Sequence, residues 1–288
     1  MSAENTQRPA EPVAAGDPRI TALRRLLGIV DRLRDPDGCP WDLEQTEESM
    51  APSLVEEAFE CQEAIESGDA NEIAEEVGDV LLNVALICRI GGQAGRFDLA
   101  QAAEAVSEKL VRRHPHVFGA TVVASTGEVL SNWEAIKKEE RRGKSQDDSA
   151  MAGVPKALPA LQRAARMCEK AVTVGFRWQD VRGAFLKIEE ELGELREVLP
   201  EDALAADSAP EFTDDVRARV EAELGDLLIA SAFFGQYAGL DPERLCRDAL
   251  RRFEARFRHL EADLDGKIAG HSLEELQIAW ESAKNATE

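Results

Sequence analysis

The stretch that decides the fold reads Glu56-Glu57-Ala58-Phe59-Glu60 and, after an acidic turn, Glu75-Glu76-Val77-Gly78-Asp79. Residues three and four apart share one face of a helix. On helices, this spacing places Glu57 beside Glu60 and Glu76 beside Asp79. The stretch therefore predicts two facing helices from which four carboxylates converge.

The same pattern returns in the second half of the chain. There the sequence reads Glu190-Glu191-Leu192-Gly193-Glu194 and, after a longer gap, Glu223-Leu224-Gly225-Asp226. Because further residues repeat in the same order, we interpret the chain as one helical unit written twice. No run of alternating β-branched residues predicts a sheet. The expected fold class is all-α, with two tandem helical bundles.

Converging carboxylates need a compensating positive charge. Like charges three or four apart weaken a helix by roughly a few tenths of a kcal/mol each, and by more if they are turned inward. Mg²⁺ would supply the charge, since it takes oxygen ligands and binds a few carboxylates together with substrate phosphates. None of the four histidines has an acidic residue three positions before it, which disfavours a di-iron site and favours an all-oxygen metal.

A solvated acidic helix face is the alternative interpretation of these carboxylates. Apolar residues around most of the girth of the second motif helix argue against it, because such a helix belongs to a core. In the first half these residues are Val77, Val80, Leu81, Val84 and Ile87, and in the second they are Leu224, Leu227, Leu228 and Ile229.

Basic and aromatic side chains also recur four residues apart. The pairs are Lys109 with Arg113, Trp133 with Lys137, Arg252 with Arg256, and Trp280 with Lys284. Basic side chains would bind phosphate oxygens that a cation does not reach, and an indole could stack on a base or ribose. Solvated surface for the basic residues and core packing for the tryptophans remain the alternatives.

Turn and cap signals divide the chain. We expect a polar, disordered tail over 1–17, a helical domain over 18–142, a linker over 143–155 and a second helical domain over 156–288. Proline predicts a helix start near Pro52, and Gly68-Asp69 predicts its end. The next helix is expected from about Asn71 to Ile90, with Gly91-Gly92 as its end. A turn is expected over 35–42 and a polar insertion over 200–210.

Composition narrows the function. The formal net charge of −22 argues against binding a nucleic-acid polymer, which depends on surplus Lys and Arg. Five cysteines without a CxxC pair indicate reduced thiols. The first residues lack the pattern of a secretory signal, and no apolar run approaches the roughly 20 residues that span a bilayer. We therefore expect a cytoplasmic protein without a membrane partner.

At these residues the chain resembles the MazG family of nucleoside triphosphate pyrophosphohydrolases in its two-domain form. The resemblance covers about residues 20 to 285. It rests on the acidic motifs of both halves, the turn Asp35-Pro36-Asp37-Gly38-Cys39-Pro40-Trp41-Asp42, the run Lys109-Leu110-Val111-Arg112-Arg113-His114-Pro115-His116-Val117-Phe118, and Trp133-Glu134-Ala135-Ile136-Lys137.

The resemblance implies an all-α homodimer that uses Mg²⁺, with Mn²⁺ as a substitute, to hydrolyse a nucleoside triphosphate to monophosphate and pyrophosphate in nucleotide-pool housekeeping. The implied metal ligands are Glu57, Glu60, Glu76 and Asp79, then Glu191, Glu194, Glu223 and Asp226. The implied substrate-binding residues are Lys109, Arg113, Trp133 and Lys137, then Arg252, Arg256, Trp280 and Lys284.

Our hypothesis for catalysis is that a glutamate beside the metal accepts the proton of the attacking water. Glu56 and Glu190 are the candidates. A metal-dependent nucleotide-binding regulator with little turnover is the alternative function, and only an assay separates the two.

Overall fold

The computed structural model describes residues 12–142, 147, 149–200 and 211–287. Within these ranges the chain forms helices and turns without a strand, so the predicted all-α class is confirmed. The chain divides into two compact units, Met1–Lys144 and Ser145–Glu288. Residues 1–11 of the expected tail, 143–146 and 148 of the expected linker, and 201–210 of the expected insertion lie outside the described residues.

The described part of each unit is built from successive helices. In the first unit they are α1 (Pro18–Leu33), α2 (Pro40–Glu44), α3 (Glu47–Ser67), α4 (Ala70–Gln93), α5 (Leu99–Arg113), α6 (Pro115–Phe118) and α7 (Thr126–Arg142). In the second they are α8 (Ala160–Thr173), α9 (Val181–Val198), α10 (Asp214–Tyr237), α11 (Pro242–Asp263) and α12 (Leu273–Ala286). None of these helices has both the length and the hydrophobicity that crossing a bilayer requires.

The pair α3 and α4 is joined by two residues that end one helix and begin the next. Gly68 closes α3 in the left-handed conformation, with φ of 82°, which glycine adopts without the steric cost that a Cβ brings. The Asp69 side chain then accepts hydrogen bonds from the backbone N–H groups of Asn71 and Glu72, at 2.7 and 3.2 Å. This joint folds the chain back and sets the acidic segments side by side.

Three boundary predictions were wrong. Helix α3 begins before Pro52, because Thr46 and Ser49 form a capping box in which each side chain accepts a hydrogen bond from the other's backbone N–H. Helix α4 continues through Gly91 instead of ending there. The predicted turn over 35–42 contains the start of α2.

The core of the first unit lies between α1, α3 and α4. It consists of Val30, Met50, Ala85, Leu86 and Ile90, all buried. Beside it, the buried guanidinium of Arg34 donates hydrogen bonds to the backbone carbonyls of α2 and its C-cap residue, and to the side chain of Gln93 at 2.7 Å. Arg34 thus ties the end of α1 to α2 and α4.

The second unit has a core of small side chains. The buried residues of α8, α9 and α10 include Ala164, Ala165, Cys168, Ala171, Ala184, Ala230 and Ala232. Trp178, in the turn before α9, packs edge-on against Tyr237, whose hydroxyl donates a hydrogen bond to the Trp178 carbonyl at 2.5 Å. This contact ties the turn to the end of α10.

The apolar residues that predicted a core position for α4 and α10 are partly exposed in one chain. Val77, Leu81 and Val84 of α4 are 42%, 43% and 37% exposed, and Leu224, Leu228 and Ile229 of α10 are also exposed. The expectation that these helices belong to a core therefore holds for one side of each helix and not for these positions. Each helix packs one side against its own unit and presents a second apolar side outward.

Candidate functional site

The helix pair of the first unit brings three carboxylates together. Glu57 of α3 and Glu76 and Asp79 of α4 each offer an oxygen, and these atoms lie within 4.8 Å of one another. We call them the first cluster. All three residues are half-buried. Glu60, the fourth predicted ligand, is exposed and lies outside this triplet, although its charge acts on two of the members.

The charges around the first cluster are mutually repulsive. The pKa of Glu57 is raised by burial and by the charges of Asp79, Glu60 and Glu76. The pKa of Glu76 is raised by burial and by neighbouring carboxylates, with Glu60 and Asp79 acting most strongly. Each shift reflects the cost of holding negative charges together in a poorly hydrated place. A bound cation would remove that cost.

The second unit builds a corresponding triplet from α9 and α10. Oxygens of Glu191, Glu194 and Glu223 lie within 4.8 Å of one another, and we call these residues the second cluster. Glu191 is only 5% exposed. The pKa of Glu194 is raised by burial, by a hydrogen bond with Glu191 and by the charges of Glu191 and Glu223. Asp226, the fourth predicted ligand, is exposed and outside the triplet.

A lysine that the sequence analysis did not single out lies on the second cluster. The Lys187 Nζ is 2.9 Å from Glu190 Oε1 and 2.6 Å from Glu191 Oε1. These hydrogen bonds raise the pKa of Lys187. The corresponding residue of the first half, four positions before Glu57, is Ser53. The spacing of four between lysine and glutamate was the signal that could have revealed this contact.

The structure brings together three of the four predicted basic and aromatic residues of the first half. The Trp133 ring has the Lys137 Nζ at 3.9 Å and the Arg113 guanidinium carbon at 5.9 Å from its centroid. Arg113 also donates two hydrogen bonds to Glu140, at 2.6 and 3.1 Å. Together with Arg112, it lowers the pKa of Glu140 to about 2.

The second half arranges the corresponding residues differently. The Arg256 Nε donates to the Thr287 hydroxyl at 3.2 Å, where Thr287 holds the position that Glu140 has in the first half. Trp280 packs against the ring of Phe253, with centroids 5.3 Å apart. Lys284 pairs with Glu281 at 2.6 Å. Arg256 therefore keeps a neutral partner where Arg113 has an anionic one.

The remaining predicted residues lie at the margins. Lys109 is half-buried on α5, and Arg252 is exposed on α11. Both candidate bases, Glu56 and Glu190, are exposed and outside the triplets, and Glu190 is bound by Lys187. The roles of these four residues stay predictions.

The donor set of each cluster fits a hard divalent cation. Every donor is a carboxylate oxygen, which is the ligand type that Mg²⁺ and Mn²⁺ prefer. The raised pKa values of Glu57, Glu76 and Glu194 indicate negative charge that the protein's own side chains do not fully neutralise. Three carboxylates also leave octahedral positions for water and phosphate oxygens.

Comparison with known proteins identifies the family. The family model of the MazG nucleotide pyrophosphohydrolase domain matches residues 45–118, which contain the first cluster. The nucleoside triphosphate pyrophosphohydrolase of Escherichia coli is 37% identical over 269 residues, covering 92% of this chain and 98% of that protein. The nucleoside triphosphate pyrophosphohydrolase/pyrophosphatase MazG of Thermotoga maritima is 38% identical, covering 91% and 96%.

A solved structure, the mazG-related protein from Thermotoga maritima, is 32% identical and covers 40% of this chain, with a TM-score of 0.35. The sequence matches to the two longer relatives extend over both units. They define the class of protein as an all-α nucleotide pyrophosphohydrolase. The chain belongs to the MazG family of these enzymes, and the resemblance seen in the sequence is confirmed.

Proposed function

We propose that the protein hydrolyses nucleoside triphosphates to monophosphate and pyrophosphate in a Mg²⁺-dependent reaction, with Mn²⁺ as a substitute. The observation that carries the proposal is the convergence of three carboxylates at the same place in both units. A triphosphate is itself strongly negative and would be repelled by either cluster alone. A divalent cation between carboxylates and phosphates resolves that repulsion.

Glu57, Glu76 and Asp79 would hold the metal in the first half, with Glu60 beside them, and Glu191, Glu194 and Glu223 would hold it in the second, with Asp226 nearby. Bound there, the metal would supply positive charge to the phosphoryl oxygens. The chain's own residues and water would carry out the other steps.

Arginine and lysine would bind phosphate oxygens and stabilise the leaving pyrophosphate. Support comes from the arrangement of Arg113 and Lys137 around Trp133 in the first half. Arg256 and Lys284 are their counterparts in the second. The tryptophan would lie on the nucleoside side, and Glu56 or Glu190 would accept the proton of the attacking water.

We also propose that two copies of the chain associate. The exposed apolar faces of α4 and α10 support this, since a soluble monomer rarely leaves such faces uncovered. Phe59 of α3 and Phe185 of α9, on the helices paired with α4 and α10, are exposed as well. A second copy would cover them by a self-complementary, two-fold contact. Sedimentation equilibrium should give twice the mass of one chain, and a monomer at micromolar concentration would contradict this.

A cytoplasmic location and a role in nucleotide-pool housekeeping complete the proposal. Five free cysteines suit a reducing compartment. The net charge of −22 favours a small nucleotide over a nucleic-acid polymer as the substrate.

Pyrophosphate release from a panel of nucleoside triphosphates, in Mg²⁺ and in chelator, tests the function. The informative variants are Glu76→Gln, Glu223→Gln and the double variant. Matched controls are Glu75→Gln and Glu221→Gln, which remove the same charge from exposed positions of the same helices.

Loss of metal-dependent release in one single variant assigns the active half, and loss only in the double variant means that both halves work. The controls should keep their activity. If the folded wild-type protein binds nucleotide but releases no pyrophosphate from any substrate, the hydrolase proposal is wrong and the regulator remains.

A further inference from the structure

We propose that Lys187 is a built-in counter-cation of the second cluster and that the Ser53/Lys187 difference gives the two halves unequal affinities for free divalent metal. The first cluster binds the metal more tightly, and the second binds it more weakly. This inference rests on the metal binding in the proposed function, and it concerns how tightly each of the two clusters binds the metal.

The geometry distinguishes the two clusters at one position. Lys187 lies one helical turn before Glu191. Its ammonium group contacts the carboxylates of both Glu190 and Glu191 at less than 3 Å. Ser53 holds the same place relative to Glu57, and its neutral side chain cannot form an ion pair. The clusters therefore have two carboxylate positions in common, Glu57/Glu191 and Glu76/Glu223, and only the second has a resident positive charge.

The surroundings of the carboxylates carry the same difference. The charges that shift the pKa of Glu57 and of Glu76 all come from other carboxylates. Around Glu194, by contrast, Lys187 acts against the carboxylates. Part of the negative charge that would attract a metal is thus already neutralised in the second cluster.

Burial makes the lysine contact costly to lose. Glu191 is 5% exposed, so its carboxylate has little water to replace the ammonium. A metal entering the second cluster must either displace Lys187 or stay beside it. Repulsion between a dication and an ammonium a few ångströms away exceeds thermal energy severalfold even at the effective dielectric constant of a protein surface. We therefore expect a dissociation constant at least about tenfold larger for the second cluster than for the first.

Binding of Mn²⁺ to the full-length protein, followed by the electron paramagnetic resonance signal of free Mn²⁺, measures this without turnover. Each cluster is read separately in a background that disables the other. Glu76→Gln disables the first cluster and keeps the second intact, and Lys187→Ser is added in this background. Glu223→Gln disables the second cluster and keeps the first intact, and Ser53→Lys is added in that background. Circular dichroism verifies that each variant is folded.

The expected result is reciprocal. Lys187→Ser tightens Mn²⁺ binding at the second cluster about tenfold or more, and Ser53→Lys weakens it at the first by a similar factor. Lys187→Arg, which keeps the charge, leaves the affinity of the second cluster near its original value. Arg182→Ser, which removes a positive charge from the exposed first turn of the same helix, should change it much less.

Equal affinities of the two clusters in the parent backgrounds would overturn the inference. A Mn²⁺ dissociation constant within about threefold of the parent value in both Lys187→Ser and Ser53→Lys would overturn it as well. A tenfold change in that constant corresponds to about 1.4 kcal/mol. If Lys187→Ser does not fold, Ser53→Lys alone decides. An absence of Mn²⁺ binding at either cluster, together with pyrophosphate release that is insensitive to chelator, would instead refute the metal role in the proposed function.

Discussion

Replacing Glu140 with threonine, the residue that the second half has at the same position, should loosen α7 from α5. Glu140 lies near the end of α7 and accepts hydrogen bonds from two consecutive arginines at the end of α5. These bonds span 27 and 28 positions of the sequence, so they join two helices directly. Threonine offers a single neutral hydroxyl oxygen on a shorter side chain in place of the two charged carboxylate oxygens.

The magnitude follows from the exposure of the three partners. Glu140 and Arg113 are 18% and 19% exposed, whereas Arg112 is 50% exposed. A hydrogen bond between charged groups contributes about 1.5 to 3 kcal/mol when it is shielded, and an exposed ion pair contributes about 0 to 1 kcal/mol. Because the threonine hydroxyl replaces these contacts only in part, the free energy of local opening of α7 should fall by about 2 kcal/mol.

Amide hydrogen exchange resolved along α7 is the suitable assay, because it reports local opening without requiring two-state unfolding of a two-unit chain. A loss of about 2 kcal/mol corresponds to roughly 30-fold faster exchange in the α7 amides. Glu104→Thr, which removes an exposed carboxylate from α5, should leave these rates within about twofold.

The pH dependence gives a second check on the same contact. Because the pKa of Glu140 is depressed to about 2, its contribution to the stability of the contact between α5 and α7 is fully present above the usual glutamate range. That contribution is lost as the pH falls through about 2. The gap between wild type and variant should therefore narrow with acidification. Unchanged exchange in α7 at neutral pH, or a gap that widens in acid, would refute the reasoning.

Three further predictions test the fold and the first cluster. Gly91→Ala should destabilise the first unit by about 1 to 3 kcal/mol, because its Cβ would lie 2.7 Å from the Phe97 ring and 2.9 Å from the Phe97 carbonyl oxygen. Gly92→Ala, whose nearest neighbour would be 3.7 Å away, should be neutral or stabilise α4 by up to about 1 kcal/mol in the same denaturant titration. Arg34→Met should cost about 3 kcal/mol, since it removes one of two donors to the Asp42 carbonyl and the arginine donors to the Gln45 carbonyl and the Gln93 side-chain oxygen; a midpoint equal to that of wild type would contradict this. Glu76→Gln should raise the melting temperature at neutral pH in chelator. The raised pKa of Glu76 means that its ionised form opposes folding, and this penalty grows as the pH rises through the raised pKa and disappears in acid. The two melting curves should converge in acid, and a lower melting temperature at neutral pH would count against the repulsion.

The sequence predicted the features that depend on neighbouring residues. Gly68 ends α3 as predicted, because glycine adopts the left-handed conformation that closes a helix. The spacing of three between Glu76 and Asp79 was enough to place both on one side of α4. The resemblance to a known family added which of many carboxylates to consider.

Features that depend on the rotation or partner of a helix were not predictable in this way. Asp226 has the same spacing as Asp79, yet it lies outside its triplet, in which Glu194 of α9 takes part instead. Hydrophobic periodicity located the apolar face of α4 but cannot distinguish an intramolecular core from a surface covered by another chain. The contact between Arg113 and Glu140 joins distant positions, and no local pattern marks it.

The two-residue joint at Gly68 and Asp69 has a consequence for the order of folding. Helices α9 and α10 must close the longer connection 199–213, which costs about 2 kcal/mol more in chain entropy than a joint of two residues. Contacts across α3 and α4 are also closer in sequence, which favours fast formation. The first helix pair should therefore assemble sooner than the second. Since it also leaves the ribosome first, each new chain would present one completed acidic hairpin while the other is still being made.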